Sequence, residues 1–416
     1  MTDSRKKLLT IVYSVLLVSL AAVVSLLVIK RYRFVGVQNL STFPSIPSQT
    51  ENEYSLESNF PDNTDEEPDQ EETAKSEIYL FGKNVSTEET YLDLSAFSSS
   101  EIESEINNLA EMKSVSEINF LKTDGTCSVG TETLDKIRDI FPNALLDCSF
   151  ELFGKTVSSK DTRIEYVKEE IGNEGADAIR AVLPYLSSCE YFLLDTCGID
   201  NEVLAQLRDD FPERNIVWRI FMKGYDSYLT DITVFRCTKI CDEDNDQFKY
   251  CSAIKYIDVG HTLHHLTDIS FVKYMPNLEV LILAHTNVSD ISALAYCKNL
   301  EYLEIFYTFV SDLSPLAECD NLQHLNMSRA AKIKDLSPLY GLKHMKRLRL
   351  DYWQFPQEQL DTITRLMPEC AMEFGDGDDI LGGWRYYLNK GVPEISSRYA
   401  LLRKQLHYDD GDVYVG

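Results

Sequence analysis

Apolar residues recur along the second half of the chain with a fixed long period. Three consecutive segments share one pattern of apolar and polar positions, and they read NLEVLILAHTNVSDISALAYC, NLEYLEIFYTFVSDLSPLAEC and NLQHLNMSRAAKIKDLSPLYGL. Their central apolar positions, Leu281, Leu303 and Leu325, are 22 residues apart, Leu348 follows after 23 and Ile257 precedes by 24. Units that repeat in this way bury their apolar faces only against their neighbours, so the pattern predicts a stacked solenoid with a long exposed sheet.

Each repeat predicts one short strand, a turn and a return arm. Leu281 and Leu283 are expected to point into the core, while Val280 and Ile282 lie on the opposite face of the strand. Thr286 then follows, and its hydroxyl is expected to hydrogen-bond the backbone between adjacent coils. A short acidic residue recurs at the turn into the return arm, where it caps free backbone N–H groups, which fits turn chemistry better than catalysis. These residues are Asp290, Asp312 and Asp335.

A longer internal repeat precedes the short ones. The sequence YLFGKNVSTEETYLDLS, from Tyr79, returns 72 residues later as ELFGKTVSSKDTRIEYV, from Glu151. Each block predicts the order strand, strand, helix, strand, helix, with strands in the second block near Phe150, Ile164 and Phe192. Its helices are expected around residues 176–186 and 201–211. The two blocks are predicted to be irregular coils of the same solenoid, with a separate α/β domain as the alternative.

The N-terminus predicts a membrane anchor. Leu8 to Ile29 is a run of 22 residues without a charge, and basic residues flank it on both sides. A helix of that length spans roughly 33 Å, which is enough for the hydrocarbon core of a bilayer. The short basic tail before it favours a cytoplasmic N-terminus and an extracytoplasmic solenoid, with the reverse orientation as the alternative. The sequence from 30 to 75 is predicted to be a disordered tether, because eleven acidic residues lie between Glu51 and Glu77.

Composition narrows the function classes. The formal net charge of −27 argues against a nucleic-acid partner, because phosphate binding requires a basic face. No phosphate-binding loop, nucleophile elbow or zinc-protease motif occurs, so the sequence indicates neither an enzyme nor a cofactor.

The cysteines favour buried thiols. Cys251, Cys297 and Cys319 fall at a repeat position that Met275 and Leu342 fill in neighbouring coils, which indicates core positions, with a disulfide between coils as the alternative. One cluster has a metal-like composition, but its spacing is unlike that of zinc sites and no metal is predicted. It comprises Cys237, Cys241, Cys251, His261, His264 and His265, and a Cys237–Cys241 disulfide is the other alternative for it.

The short repeat can be written L-x-x-L-x-L-x-x-T/N-x-[VI]-x-D-[IL]-S-x-L over roughly residues 252–342. This motif resembles the 22-residue repeat of internalin-like bacterial leucine-rich repeat proteins. The resemblance implies an α/β leucine-rich repeat solenoid, with a curved parallel sheet, helices and irregular arms on its convex side, and a role in binding another macromolecule. The chain departs from the pattern in having Thr where Asn is common and an inserted residue near Ala330.

The outward strand positions predict a binding surface on the concave face, since aromatic and Arg side chains are favoured at the centres of interfaces. The alternative is that the C-terminal cap covers much of this face. The candidate residues are Tyr256, His285, Tyr302, Glu304, Phe306, Tyr307, His324, Arg329, Arg347, Arg349 and Tyr352. His261 and His285 share one strand position on adjacent coils and could sense pH as a pair, although ordinary exposed histidines are the simpler interpretation. The residues near the C-terminus are predicted to form a cap over the open end of the core. They include Trp384, Tyr386, Tyr387, Tyr399 and Leu402.

The sequence therefore predicts a non-catalytic, single-pass membrane protein of the bacterial cell envelope whose solenoid binds a protein or a surface glycan through its concave face. A membrane-associated scaffold that acts by lateral assembly is the alternative. The predicted regions are a cytoplasmic tail (1–7), a transmembrane helix (8–29), the tether (30–75), the two long blocks (76–250), the regular repeats (251–368) and the C-terminal cap (369–416).

Overall fold

The computed structural model of the protein describes residues 77–223, 226–262, 265–351, 354–374, 384–389 and 392–408. Three sheets built mainly of parallel strands follow one another along this part of the chain. The predicted cytoplasmic tail, transmembrane helix and tether all lie outside it. Among the helices of the described ranges, none has both the length and the apolar character that crossing a bilayer requires.

The first long block is a hairpin followed by a three-stranded parallel sheet. The hairpin consists of β1 (Glu77–Leu80) and β2 (Lys83–Ser86). The sheet consists of β3 (Tyr91–Asp93), β4 (Glu117–Asn119) and β5 (Leu145–Asp147). The connecting arms contain the helices α1 (Ser99–Ser104), α2 (Ile106–Leu109) and α3 (Thr131–Ile140).

The second block repeats this order, so the predicted repetition is confirmed, but three strands and not the predicted two precede its first helix. Its hairpin is β6 (Ser149–Leu152) and β7 (Lys155–Ser158), and its sheet is β8 (Arg163–Val167), β9 (Tyr191–Asp195) and β10 (Asn215–Phe221), with β11 (Ser227–Leu229) antiparallel to β10. The arms are α4 (Gly175–Val182), a 3-10 turn (Leu183–Tyr185) and α5 (Asn201–Asp210). The helices and the three strands that the sequence indicates for this block are confirmed.

The repeated Leu-Phe-Gly-Lys sequence forms the same hairpin turn in both blocks. Phe81 and Gly82 have φ values of 49° and 81°, and Phe153 and Gly154 have values of 50° and 74°. Two successive residues with positive φ are what a two-residue hairpin loop of type I′ requires. A phenylalanine is unusual there, and each ring is held by an aromatic neighbour, with Phe81 stacked on another ring at 4.1 Å between centroids.

The regular repeats form one seven-stranded parallel sheet whose strand order equals the chain order. Leu281 pairs with Leu303, Leu303 with Leu325, and Leu325 with Leu348, so equivalent positions of successive coils lie side by side. The strands are β12 (Val234–Arg236), β13 (Tyr256–Asp258), β14 (Val280–Ile282), β15 (Tyr302–Glu304), β16 (His324–Asn326), β17 (Arg347–Leu350) and β18 (Ala371–Phe374). This is the predicted solenoid.

The return arms are 3-10 helices, and the last arm is the α-helix α6 (Gln357–Leu366). The 3-10 helices span Asp242–Tyr250, Ser270–Tyr274, Ser292–Tyr296, Ser314–Glu318 and Ser337–Leu339. The recurring acidic residues cap these arms, since the carboxylates of Asp290, Asp312 and Asp335 accept from the backbone N–H two residues on at 2.7–2.8 Å. Their turn chemistry is confirmed.

The threonine that follows β14 and the one that follows β15 each bond within their own coil. The Thr286 hydroxyl donates to the carbonyl of Leu283 at 2.8 Å, and Thr308 makes the same bond to Ile305. The expectation that this side chain links adjacent coils is wrong, because the chain turns sharply enough there to bring the carbonyl three residues back within reach. The cysteines of the repeats are buried as expected, and burial raises the pKa of the Cys297 thiol to about 12.

The long blocks differ in how they join the solenoid. A continuous hydrophobic core runs from Leu152 to Cys370, so the second block shares the core of the regular repeats. The first block has a separate core that extends from Leu80 to Cys148 and includes Tyr185. Phe150 packs against both cores, with its ring 5.8 Å from that of Tyr185. The two cores thus meet at Phe150 and Tyr185, and polar contacts such as the Lys160–Asp147 ion pair also link the two blocks.

The described chain ends in a hairpin and a helix. Strand β19 (Tyr386–Asn389) pairs antiparallel with β20 (Val392–Ile395), and α7 (Ser397–Gln405) follows directly. The Ser396 hydroxyl accepts from the N–H of Tyr399 at 3.2 Å and so begins this helix with an N-cap. The described residues from 384 to 408 are called the C-terminal segment below.

Candidate functional site

The concave face of the seven-stranded sheet carries most of the residues for which the sequence predicts binding. Leu281, Leu303 and Leu325 are fully buried in the core, so the residues on either side of each project from the other face of the strand. That face includes Val280, Ile282, Tyr302, Glu304, His324, Asn326, Arg347 and Arg349. In a bare solenoid these side chains would face solvent.

Most of the predicted binding residues are instead buried or partly buried. The buried ones are Tyr302, Glu304, Phe306, His324 and Arg349, and the partly buried ones are Tyr256, His285 and Arg347. Tyr307 and Arg329 remain exposed, and Tyr352 lies outside the described residues. The predicted surface is therefore divided into a covered part and an uncovered margin.

The C-terminal segment covers the concave face. Its residues Trp384, Leu402 and Leu406 share one buried apolar cluster with residues of β14 and β15 and of the turns that follow them. The contributions from the sheet are Val280, Ile282, Ala284, Tyr302 and Phe306. The sequence places Trp384, Tyr399 and Leu402 over the open end of the core, but they lie on this face instead. The reason is that apolar outward positions on consecutive strands need cover from water.

Glu304 is the centre of the covered face. Its side chain is 0% exposed, and it accepts hydrogen bonds from the Trp384 indole N–H at 2.9 Å, from the Arg385 guanidinium at 2.9 Å and from the Tyr302 hydroxyl. Burial acts to raise the pKa of the Glu304 carboxyl, but the charge of Arg385 and these hydrogen bonds outweigh it and hold the pKa below its usual value. A buried carboxylate is tolerable only when it is paired and hydrogen-bonded in this way.

A second set of contacts surrounds the indole ring. The Arg347 guanidinium lies 4.6 Å from the centre of the Trp384 ring, donates to the Trp384 carbonyl at 3.2 Å, and pairs with Glu373 of β18. The Ser396 hydroxyl donates to the same Trp384 carbonyl at 3.1 Å. Trp384 is thus fixed at both its indole and its backbone.

His324 occupies the same face one coil further on and is 8% exposed. Burial, followed by the charges of Arg398, Arg347 and Lys346, lowers the pKa of its imidazole to about 3. The ring is therefore neutral in the folded protein near neutral pH. Arg398 of α7 also lies over the Tyr302 ring, at 5.0 Å from its centre.

The other end of the C-terminal segment contacts the first strands of the sheet. The Tyr408 hydroxyl donates to the Asp258 carboxylate, and Arg236 donates to the His407 carbonyl at 3.2 Å. Burial, together with Asp258, raises the pKa of Tyr408 well above its ordinary value. A cavity of about 240 Å³ lies at this junction, lined in part by Arg236, Asp258 and Arg403.

A ridge of three exposed side chains and one partly buried side chain borders the concave face. It consists of the residue that precedes the threonine position, or its equivalent, in four successive coils: His261, His285, Tyr307 and Arg329, with φ values of 64°, 58°, 53° and 57°. The rings of His261 and His285 stack at 4.7 Å between centroids, and those of His285 and Tyr307 lie 5.1 Å apart. We call these four residues the ridge.

The ridge adjoins the covered face directly. The His285 ring lies 5.0 Å from that of the buried Phe306, while the Tyr307 side chain is 55% exposed. The repeated left-handed backbone places each of these side chains at the carboxyl end of a strand. Three members of the predicted binding set, His285, Tyr307 and Arg329, therefore form a continuous margin with His261.

The metal-like cluster of the sequence does not assemble. Within the described ranges, no group of three or more His, Cys, Asp or Glu residues is placed to hold a metal ion. Cys241 begins a 3-10 helix, where Asp244 accepts from its backbone N–H at 3.1 Å. Cys237 and Cys241 are both free thiols, and His264 lies outside the described residues.

Sequence reasoning missed two residues of the covered face, Arg385 and Arg398. Their partners are far away in the chain, since Arg385 is 81 positions from Glu304. One signal was available, because Glu304 stands at an outward position next to the apolar outward pair Val280 and Ile282 of the preceding strand. An acid in such a neighbourhood requires a cation from elsewhere.

Comparison with known proteins agrees with this class of fold. Residues 276–318 match the family model described as "Leucine Rich repeats (2 copies)". With the seven-stranded parallel sheet, this match identifies the regular repeats as a leucine-rich repeat solenoid. No curated protein matches the chain at a significant level.

Solved structures with some likeness include two internalins of Listeria monocytogenes. Internalin C2 is 17% identical over 31% of this chain and 74% of its own, with a TM-score of 0.22. Internalin F is 16% identical over 68% of this chain and 89% of its own, with a TM-score of 0.23. A complex of TLR13 with a single-stranded RNA is 13% identical over 64% of this chain and 30% of its own, with a TM-score of 0.27. With TM-scores this low, no functional conclusion follows from these likenesses.

Proposed function

We propose that the protein is a non-catalytic leucine-rich repeat protein that binds another protein at the ridge of His261, His285, Tyr307 and Arg329. The observation that carries the proposal is the exposure of this aromatic and basic margin beside a face that is otherwise covered. Tyr307 is 55% exposed, and Phe309, two residues on, is 45% exposed. Aromatic and Arg side chains bury large areas at limited entropic cost, which suits a protein interface.

Two features favour a protein ligand over a small molecule. The ridge is a line of side chains from four stacked coils, so it offers an extended contact rather than an enclosed pocket. Each ridge residue except Arg329 also donates its backbone N–H to a carbonyl of the next coil, at 2.7–3.2 Å, so the line is rigid before any ligand arrives. A preorganised surface loses little entropy on binding.

The test is site-specific photo-crosslinking in cells that produce the protein. A photoreactive phenylalanine at Tyr307 should give a discrete adduct with another protein. Tyr296 is the matched control, because it is 67% exposed but belongs to the 3-10 helix Ser292–Tyr296 on the return arm. The adduct should be absent from position 296 and should weaken at least severalfold when Arg329→Ala is added. Adducts of equal yield from both positions, or none from 307, would refute binding at the ridge.

We also propose that residues 8–29 anchor the protein in a membrane and that the repeats lie outside the cytoplasm of a bacterial cell. The support is the uncharged run of 22 residues with basic flanks. A single new cysteine at Ser76, in a variant without accessible native thiols, should react with a membrane-impermeant reagent in intact cells. Reaction only after lysis would place the repeats in the cytoplasm and make the ridge a site for an internal partner.

A further inference from the structure

We infer that the concave face is a docking site for a polypeptide that presents a tryptophan followed by an arginine, and that the C-terminal segment occupies it as an intramolecular ligand. A partner protein with the same pair would then bind by displacing the segment. The inference rests on the proposed function, because it assumes that the solenoid serves a protein partner.

The acceptor side of this site is built by one strand. Tyr302 and Glu304 of β15 project from the same face, and the Tyr302 hydroxyl donates to the Glu304 carboxylate. The indole N–H of Trp384 then lies 2.6 Å from the Tyr302 oxygen and 2.9 Å from the Glu304 oxygen. The pair therefore requires a ligand with one N–H donor on an apolar body, which is the chemistry of tryptophan.

The second requirement is a cation at the other carboxylate oxygen. Arg385 donates to it at 2.9 Å, while the indole occupies the first oxygen. Glu304 is an outward strand residue, so its complete burial is due to the segment and not to the sheet. A ligand that supplied the ring without the cation would leave a buried charge unpaired, which is strongly unfavourable. The Glu304 carboxylate thus favours a ligand that supplies the tryptophan and the arginine together.

The segment also has properties of a ligand that can be exchanged. Among the described residues, three nitrogens where the segment meets the sheet find no hydrogen-bond partner. They are Nδ1 of His324 in the sheet, and Nε of Arg385 and Nη2 of Arg398 in the segment. Buried polar atoms without partners weaken an interface. Because the segment is part of the same chain, its effective concentration at the concave face is on the order of millimolar. An external ligand must therefore bind this face with higher affinity than the segment does, or the affinity of the segment must first be lowered.

The first experiment supplies the segment in trans to the full-length protein. The probe is a fluorescent synthetic peptide of residues 384–408, and binding is measured by anisotropy. The full-length double variant Trp384→Ala, Arg385→Ala should bind the peptide at least about tenfold more tightly than the wild-type protein does, because its own segment competes less well. Adding Glu304→Gln to the double variant should reduce this affinity about tenfold or more.

Two controls keep the result interpretable. A peptide that carries the Arg385→Ala change should bind the double variant weakly. The full-length variant Leu402→Ala loosens the segment at a fully buried position of α7 without altering the Trp–Arg pair or its acceptor, and it should also bind the wild-type peptide more tightly than the wild-type protein does. Hydrogen exchange in β14–β16 verifies that the sheet stays folded in each variant.

The inference would be overturned if the peptide bound the wild-type protein and the double variant with equal affinity. It would also be overturned if adding Glu304→Gln left the affinity of the double variant for the peptide unchanged. These results do not depend on the crosslink from Tyr307, so the two proposals can fail separately. If both proposals hold, adding the free peptide before irradiation should lower the yield of the adduct from position 307. The double variant should give a higher yield of that adduct than the wild-type protein. A crosslink that persists while the peptide fails would leave the ridge as a binding site and remove the exchange mechanism.

Discussion

At the scale of single residues, Glu304 shows how one buried charge holds a segment in place. A carboxylate that is fully buried and bonded to Tyr302, Trp384 and Arg385 stabilises the docked state only while all three donors remain. Removing its charge leaves Arg385 without a counterion in a low-dielectric site. The segment can avoid this cost by leaving the sheet, which lets the guanidinium reach water.

We therefore expect Glu304→Gln to loosen the C-terminal segment more than the solenoid. Breaking a buried pair costs about 3 to 5 kcal/mol, but the loss in global stability is limited to the free energy of docking. Hydrogen exchange should accelerate in α7 and leave β14–β16 protected. Glu318→Gln is the control, since that side chain is 63% exposed in a surface ion pair. Equal effects from both substitutions would contradict the role of Glu304.

His324 makes the docked state sensitive to acid. The pKa of its imidazole is about 3 when folded and 6.5 when exposed, because burial and the nearby Arg398, Arg347 and Lys346 disfavour the charged form. Above pH 6.5 the ring is neutral in both states and contributes no pH dependence. As the pH falls below that value, the undocked or unfolded state takes up a proton that the folded state does not, so stability falls by up to about 1.4 kcal/mol per pH unit.

The prediction is that the C-terminal segment undocks more readily at about pH 5 than at pH 7, a range in which carboxyl groups with pKa values of about 3.9 to 4.3 stay mostly ionised. His324→Gln should flatten this dependence, as measured by hydrogen exchange of α7 at the two pH values. His344→Gln is the control, because His344 is an exposed histidine of the adjoining coil. If hydrogen exchange in α7 depends on pH as strongly in His324→Gln as in the wild-type protein, groups other than His324 cause the acid sensitivity.

At the scale of elements, the two Leu-Phe-Gly-Lys hairpins repeat the same turn, including its two residues with positive φ. Gly154 has a φ of +74°, and no neighbouring atom would meet an added Cβ within 4 Å. Only the backbone conformation therefore penalises a larger residue. The same conformation recurs at Gly82, which explains why the sequence keeps glycine at both turns.

Gly154→Ala should lower the free energy of unfolding by roughly 1 to 2 kcal/mol, the cost of a left-handed conformation for a residue with a side chain. Gly341→Ala is the matched control, since Gly341 has equal space around it and no left-handed φ. Chemical denaturation of both variants gives the comparison. If both substitutions lower the free energy of unfolding by the same amount, the left-handed conformation at the turn carries no extra cost for alanine.

At the scale of the whole molecule, the two separate cores predict two unfolding steps. Leu134 is buried in the core of the first block, and Leu303 in the continuous core of the solenoid. Coils stabilise one another through nearest neighbours, so a defect in one core weakens that core first.

Leu134→Ala should destabilise the first block by about 2 to 5 kcal/mol and leave exchange in β14–β16 unchanged. Leu303→Ala should do the reverse. Residue-resolved hydrogen exchange at increasing denaturant separates the two cases. A single transition that both substitutions shift equally would show that the contacts between the two blocks couple the cores fully.

The sequence by itself determined the repeated elements, because their signals are local. The period of Leu281, Leu303 and Leu325 predicts the parallel sheet, the recurring aspartates predict the capped turns, and the 72-residue echo predicts two blocks with like elements. Burial of the repeat cysteines also follows from their position alone. In a solenoid each coil touches only its neighbours, so short-range patterns carry most of the information about the fold.

Only the tertiary structure decided what covers the concave face. Outward positions such as Tyr302 and Glu304 have the same local pattern whether they face solvent or another segment, so the sequence leaves open whether this face is free or covered by the C-terminal residues. The cover comes from Trp384 and Arg385, more than 80 positions away from Tyr302 and Glu304 respectively. Such pairings depend on where the chain returns after the last coil, and no periodic signal specifies that path.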